Sequence, residues 1–345
     1  MLNFFLYFSH LFIYKHKHNN MKQFLLVVSI VFISVLAVGQ QDVQYTNFMF
    51  AKSNYNPGFT GMGDGICING LARQQWMGYK GTDGEAGAPA TFYFSAQSPV
   101  KLLLGGIGIA VVKDEIGFES NTSVRLAYAF HLKLGEGNLG VGLAAGFLNK
   151  QIDFTKFRPT DSSDPLLQGG AESAMSFDLA MGAHYSTDDY YVGLSFTQLQ
   201  NLWGAEAEFA SGNDNLANPD YINHTYITGG YNYQLPMMPS IILNPNVLVK
   251  VAGTSSAQFD INMLAWYNKQ VYAGVTYRAT DAVSILAGYK VLDGFLKGLM
   301  GGVSYDITTS KMSSGTGGSF EIFVKYCFNI EFPPKSEKHG TVLYL

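Results

Sequence analysis

Residues 257–290 read AQFDINMLAWYNKQVYAGVTYRATDAVSILAGYK. Taken at every second position, Phe259, Ile261, Met263, Ala265 and Tyr267 fall on one face, with Gln258, Asp260 and Asn262 on the other. After a short turn, Val271, Ala273, Val275 and Tyr277 repeat the apolar row against Gly274, Thr276 and Arg278. Val283, Ile285, Ala287 and Tyr289 repeat it once more against Ser284, Gly288 and Lys290. A period of two means β-strands with unlike faces, and turns this short mean antiparallel hairpins. What solvates the apolar face, a protein interior or lipid, is the question for the rest of the chain.

Composition favours lipid. Charged residues are 14% of the 345, against about 25% in an average soluble domain. Glycine contributes 38 residues, well above the usual share of about 7%. Aromatics reach 14%. Cys67 and Cys327 are far apart and form no zinc or redox spacing; the sequence leaves a disulfide between them open.

From Met21 the chain reads MKQFLLVVSIVFISVLAVGQ, a basic residue, an apolar run and small residues, which is a secretory leader with cleavage near Gly39–Gln40. Residues 1–39 are thus the signal peptide with an upstream extension, and outer-membrane localisation is expected after cleavage. Of 22 basic residues three (Lys15, Lys17, Lys22) lie in the first 40, leaving 19 against 26 acids. That balance argues against nucleic acid as a partner. Residues 40–64, rich in turn formers, are expected to be a non-strand segment or plug, and 329–345 a periplasmic tail.

Between them, 65–328 are expected to form the barrel. Alternation recurs in 14 segments: 66–76, 89–98, 104–113, 120–133, 138–150, 173–186, 189–199, 223–235, 245–252, 256–267, 270–279, 282–291, 297–308 and 318–328. The number is even, as bacterial outer-membrane barrels require. Charges keep to the non-apolar parity: Arg73, Arg125, Lys133, Lys150, Asp178, Lys250, Asp260, Arg278, Lys290, Asp306, Glu321 and Lys325, with Lys113 the exception at a strand end. An Arg or Lys facing mid-bilayer costs about 2–4 kcal/mol, falling to about 0–1 near the interface. The longest connections, 77–88, 151–172 and 200–222, are all odd-numbered, hence external, and 309–317 is odd too. Connections 134–137, 187–188 and 268–269 are even and short, whereas 253–255, 280–281 and 236–244 run against the rule. A soluble sandwich would present a charged outer face, which this mostly Gly, Ala, Ser, Thr and Asn face is not. The fold class is therefore all-β, a transmembrane antiparallel β-barrel of about 14 strands.

Chemistry is sparse. Gly135–Gly140 spells G-x-G-x-x-G, but between two strands, where it is a hairpin turn with no helix for a pyrophosphate. His131 and His184 are lone inward residues, and Asp188 and Asp189 sit on a short turn. Neither an enzyme nor a cofactor is expected. Strands three to five present small inward residues: Gly106, Gly108 and Ala110, then Ala127 and Ala129, then Gly140, Gly142, Ala144 and Gly146. Such a smooth wall admits another backbone, for which residues 40–64 or a bound partner are candidates. The competing reading is that these glycines merely relieve crowding in a curved sheet.

Several stretches in order along the mature chain carry a resemblance: QQDVQYTNFMFAKSNYNPGFTG, LARQQWMGYKG, YVGLSFTQLQN, LNPNVLVKV and SFEIFVKYCF. Together they resemble the PorP/SprF family of outer-membrane proteins of type IX secretion and gliding. Asn56, Pro57 and Gly61 match its N-terminal motif, while Val43 and Gly58 depart from it. The resemblance implies a barrel associated with other type IX secretion components, docking a secreted protein through its C-terminal sorting domain. Outer-loop aromatics Phe154, Phe157, Trp203 and Phe209 are candidate contacts for that partner. Arg73, Gln75, Asp260, Asn262 and Arg278 are expected to brace the lumen. The alternative function is an outer-membrane channel or transporter for a small or hydrophobic solute.

Overall fold

The computed structural model describes residues 42–63, 65–79, 87–156, 170–200, 208–209, 221–253 and 256–328. Fourteen strands form the wall: β1 (Ile66–Gln74), β2 (Ala90–Val100), β3 (Gly105–Ile116), β4 (Glu119–Leu134), β5 (Gly137–Asp153), β6 (Ala171–Ser186) and β7 (Tyr190–Thr197). They continue as β8 (His224–Tyr231), β9 (Ile241–Ala252), β10 (Ser256–Tyr267), β11 (Val271–Arg278), β12 (Ala282–Lys290), β13 (Leu299–Thr308) and β14 (Ser319–Phe328). Each pairs antiparallel with its neighbour in sequence, and β1 pairs with β14, so the sheet closes. Closure leaves no edge strand, which is what allows a sheet to cross hydrocarbon.

The apolar rows meet across the register, Ile261 opposite Tyr277 and Val275 opposite Ile285, and face outward. Arg73, Arg125, Asp178, Lys250, Asp260, Arg278, Asp306 and Glu321 are instead all buried inside. Lys113 lies on the outer face at the end of β3, paired with Glu115 at 2.6 Å. This division is what a lipid-bathed exterior demands.

Two of the boundaries that differ from the sequence reading are informative. The third connection is only Gly117–Phe118, with Gly117 at φ +61°, so β4 and β5 reach 16 and 17 residues. The polar run at 114–122 hides this, because a hairpin rising clear of hydrocarbon has no need of an apolar row. β9 begins at Ile241 and carries Pro245 in its interior. Proline is tolerated because β8 pairs only with Asn246 onward and the short piece Tyr233–Gln234 pairs with 242–243. The gap between them is bridged by Asn244, whose Nδ2 donates to the Tyr231 carbonyl at 3.0 Å.

Cys67 and Cys327, left open by the sequence, are disulfide-bonded. They are register partners on β1 and β14, so the bond fastens the closing seam.

Candidate functional site: the filled bore

The bore is occupied by residues 42–63. This segment begins among the strand ends bearing the long connections, near His224 and Lys250, and descends to the short-turn end before entering β1. It has three short helical turns: Phe48–Phe50, Lys52–Tyr55 (α1) and Pro57–Phe59. Asn56 starts the last one, its side chain accepting from the Gly58 N–H at 2.8 Å.

The hydrophobic core lies in this bore. Tyr45, Phe48 and Tyr55 pack among inward Tyr93, Tyr226, Leu248, Leu264, Leu286 and Phe323. Tyr55 meets Tyr226 at 5.1 Å between ring centroids, and Phe50 stacks on Phe323 at 4.6 Å. Read from sequence the inner face is small and polar. Its few large residues are scattered among different strands, and their convergence appears only once the sheet closes.

Polar contacts fix the segment along its length. Glu321 accepts the backbone N–H groups of Thr46 and Asn47, each at 2.8 Å, and the Asn47 Nδ2 at 2.8 Å. Thr46 Oγ1 donates to Asp306 at 2.8 Å and accepts from Arg73 Nη1 at 2.7 Å. Arg73 also pairs with Asp306 at 2.7 Å and Glu321 at 3.1 Å. The network extends through Arg278, which meets Asp306 at 3.7 Å and its register partner Asp260 at 3.0 Å. Buried charges are tolerable only when paired and hydrogen-bonded in this way. Lower down, Ser195 Oγ donates to the Tyr55 carbonyl at 2.7 Å and Arg125 Nη1 to that of Asn54 at 3.2 Å. Asn56 Nδ2 donates to the Ala183 carbonyl at 2.8 Å, and His131 Nε2 bonds the Thr60 carbonyl at 2.9 Å. His184 lies between Phe59 and Tyr191, with centroids at 5.1 and 5.5 Å.

The small-residue wall is where this backbone comes closest. A Cβ on Gly142 would lie 2.4 Å from the Pro57 carbonyl, one on Gly140 2.1 Å from the Gly58 oxygen, and one on Gly106 2.5 Å from the Thr60 oxygen. Gly61 needs its freedom twice over, with φ +71° and the Gly106 Cα 2.4 Å from its missing Cβ. Gly108 faces the Thr60 methyl, and Ala127 lines a small void beside it. Ala129 is buried. Gly146 serves differently. It lies in register between Arg125 and Asp178, and its bareness lets that pair meet across β5 at 2.7 Å.

Of the expected bracing residues, Arg73, Asp260 and Arg278 belong to the charge network. Asn262 Nδ2 donates to Thr276 Oγ1 at 2.8 Å. Gln75 lies past the end of β1, its backbone N–H on the Pro89 carbonyl at 2.8 Å. What the sequence missed is Glu321, Asp306 and Thr46 as the clasp on the segment, since period-two reading gives facing but not neighbours. Phe154 is half-buried in a short turn, Phe154–Lys156, above β5. Phe157 and Trp203 lie outside the described residues, and of Phe209 only the strand pairing with Ala174 is described. The expected leader, 1–39, and the expected tail, 329–345, also lie outside.

Electrostatics differ at the two ends of the segment. Burial opposes ionisation of Asp42, but His224, Lys250, Arg125 and the Tyr226 hydroxyl outweigh it and hold the carboxyl below its ordinary value. Lys52, in α1, is pushed down to about 7 by burial and by Lys325. Its ammonium sits over the Tyr191 ring, 3.2 Å from the centroid. Between the two ends the voids are small, ≈ 20 and ≈ 10 Å³. At the ends lie a polar recess of ≈ 150 Å³, lined by Asp42, Asp114, Glu119, Lys150 and His224, and a vestibule of ≈ 590 Å³ on the short-turn side.

A comparison with curated proteins finds no match. Among solved structures, the Ralstonia pickettii toluene transporter TbuX is similar at 12% identity, over 81% of this chain and 94% of that one, with TM-score 0.47. The Acinetobacter baumannii outer membrane protein Omp33 is similar at 8% identity, over 78% and 100%, with TM-score 0.41. The family model for the type IX secretion system membrane protein PorP/SprF matches residues 37–326, nearly all of this closed barrel and its filled bore, and the chain belongs to that family.

Proposed function

We propose that this outer-membrane barrel is a docking element of the type IX secretion machinery, holding a secreted protein by its C-terminal sorting domain at the long-connection end. The observation that carries this reading is the filled bore. Residues 42–63 are hydrogen-bonded to the wall from Glu321 to His131, and the voids described between the end recesses measure ≈ 20 and ≈ 10 Å³. A water needs about 10–15 Å³ of such space, so each of these voids holds little more than a water. The long β4–β5 pair and the connections at 154–170 and 198–223 offer the contact surface instead. Partner components of the secretion apparatus would meet the short turns.

Planar-bilayer recording tests the reading. The wild-type barrel is expected to be silent and a variant lacking residues 42–63 to conduct. Shortening the connections at 154–170 and 198–223 should abolish surface display of one secreted protein while leaving solute uptake normal. Steady conductance by the wild type, with display unaffected by the loop change, would favour the channel reading.

A further inference from the structure

The vestibule on the short-turn side is unlike the rest of the bore. Its floor is apolar and aromatic: Met49, Phe50, Phe59, Tyr191, Trp266 and Met300. Its volume, ≈ 590 Å³, falls within the roughly 300–1,000 Å³ of small-ligand sites. Four lysines line it: Lys52, Lys269, Lys290 and Lys325. Lys290, Met300 and Lys325 lie side by side on β12, β13 and β14 in direct register, which places two ammonium-bearing chains on either side of a buried methionine. Lys52 lines the same vestibule as Lys325.

Elsewhere in this bore Arg73, Arg125 and Arg278 each meet a carboxylate, and Lys250 donates to the Asp42 carbonyl. Among the described residues no ion pair includes Lys52, Lys269, Lys290 or Lys325. The carboxylates on the described lining, Asp188 and Asp189, sit on the β6–β7 turn, where their backbone carbonyls take the side-chain and main-chain N–H groups of Asn232. Like charges gathered over an apolar floor repel one another, and an anion seated among them relieves that repulsion.

We propose that this vestibule binds an organic carboxylate with an apolar body, its anionic group on Lys290 and Lys325 and its body against Trp266, Phe50 and Met300. The segment in the bore closes the far side, so the ligand is held rather than passed through. This assignment concerns the opposite end of the barrel from the docking surface and does not rest on it.

The test uses the full chain in detergent with ¹³C-methyl methionine, reading Met49 and Met300 by NMR during titration with phenylacetate, with neutral phenylacetamide and with inorganic phosphate. Phenylacetate should shift both methyls saturably. Phenylacetamide and phosphate should each bind at least about tenfold more weakly, since one lacks the charge-assisted contact and the other the apolar body. The K290Q/K325Q variant should bring phenylacetate down to the level of the amide. Equal binding of acid and amide, phosphate as tight as phenylacetate, or no effect in the double variant would each overturn the proposal. The acid-against-amide comparison needs no variant, so it stands even where the double variant fails to fold.

Discussion

Glu321→Gln isolates the clasp on the N-terminal segment. One carboxylate oxygen of Glu321 takes the Asn47 N–H and Nδ2, and the other takes the Thr46 N–H and an Arg73 Nη1. A glutamine must put its NH₂ in place of one of those oxygens. Whichever way it turns, two donors then face a donor, in a bore where Glu321 is fully buried. Each unsatisfied group costs about 1–3 kcal/mol, and breaking a buried charge pair costs about 3–5 kcal/mol in all. At 1.4 kcal/mol per tenfold, the open population of the segment rises about 100- to 4,000-fold. The wall should survive, because the β14 ladder bonds are main-chain. Hydrogen exchange read by mass spectrometry on a peptide covering residues 42–50 should lose protection by that factor, while peptides from β10–β12 stay unchanged. Protection at 42–50 within about threefold of wild type, well short of the tenfold that 1.4 kcal/mol gives, would refute the claim that Glu321 anchors the segment.

Gly142→Val places side-chain carbons where Pro57 lies and should cost about 1–3 kcal/mol by overpacking, making residues 57–61 newly sensitive to protease. Gly70→Ala, whose Cβ meets nothing within 4 Å, should leave that sensitivity at the wild-type level. Removing the Cys67–Cys327 bond, which spans 260 positions, should lower stability by about 2–4 kcal/mol, seen as an earlier heat-induced shift in gel mobility that reductant reproduces in the wild type. For Lys52 the folded pKa of about 7 lies below the free value of 10.5. The released segment therefore binds more protons between those values, so docking strengthens as pH rises from about 7 and its weakening is complete below 7. The Tyr191 ring favours the ammonium and makes the slope shallower than burial alone would give. Protection of residues 52–55, corrected for intrinsic exchange, should rise from pH 7 to 9 in the wild type and stay level in Lys52→Met; equal slopes would discard the Lys52 origin.

The strands were legible because lipid is an unforgiving solvent: it penalises every outward charge, and so writes a two-residue period into sequence. That penalty ends where the chain leaves hydrocarbon, and there the reading fails, as at the β3–β4 turn. The small-residue wall was legible as a permissive surface, though not which glycines meet the segment and which, like Gly146, open a path for an ion pair. Residues 42–63 have no period of their own, and their partners Asp306 and Glu321 lie more than 250 positions away. The cysteine bond carried a signal that facing alone could not use. Cys67 is second in β1 and Cys327 next to last in β14, on the same parity as Arg73 and Glu321, so a closed sheet must bring them together.

That bond has a topological consequence. It turns residues 67–327 into a hoop without free ends, and residues 42–63 are a thread drawn into its eye. Once the hoop is locked, the thread has no sideways way out between the first and last staves; it can slide only along the axis, back toward the turns by which it entered. A barrel oxidised while still empty would have to be threaded from that side, so the moment of oxidation fixes which assembly routes lead to the finished molecule.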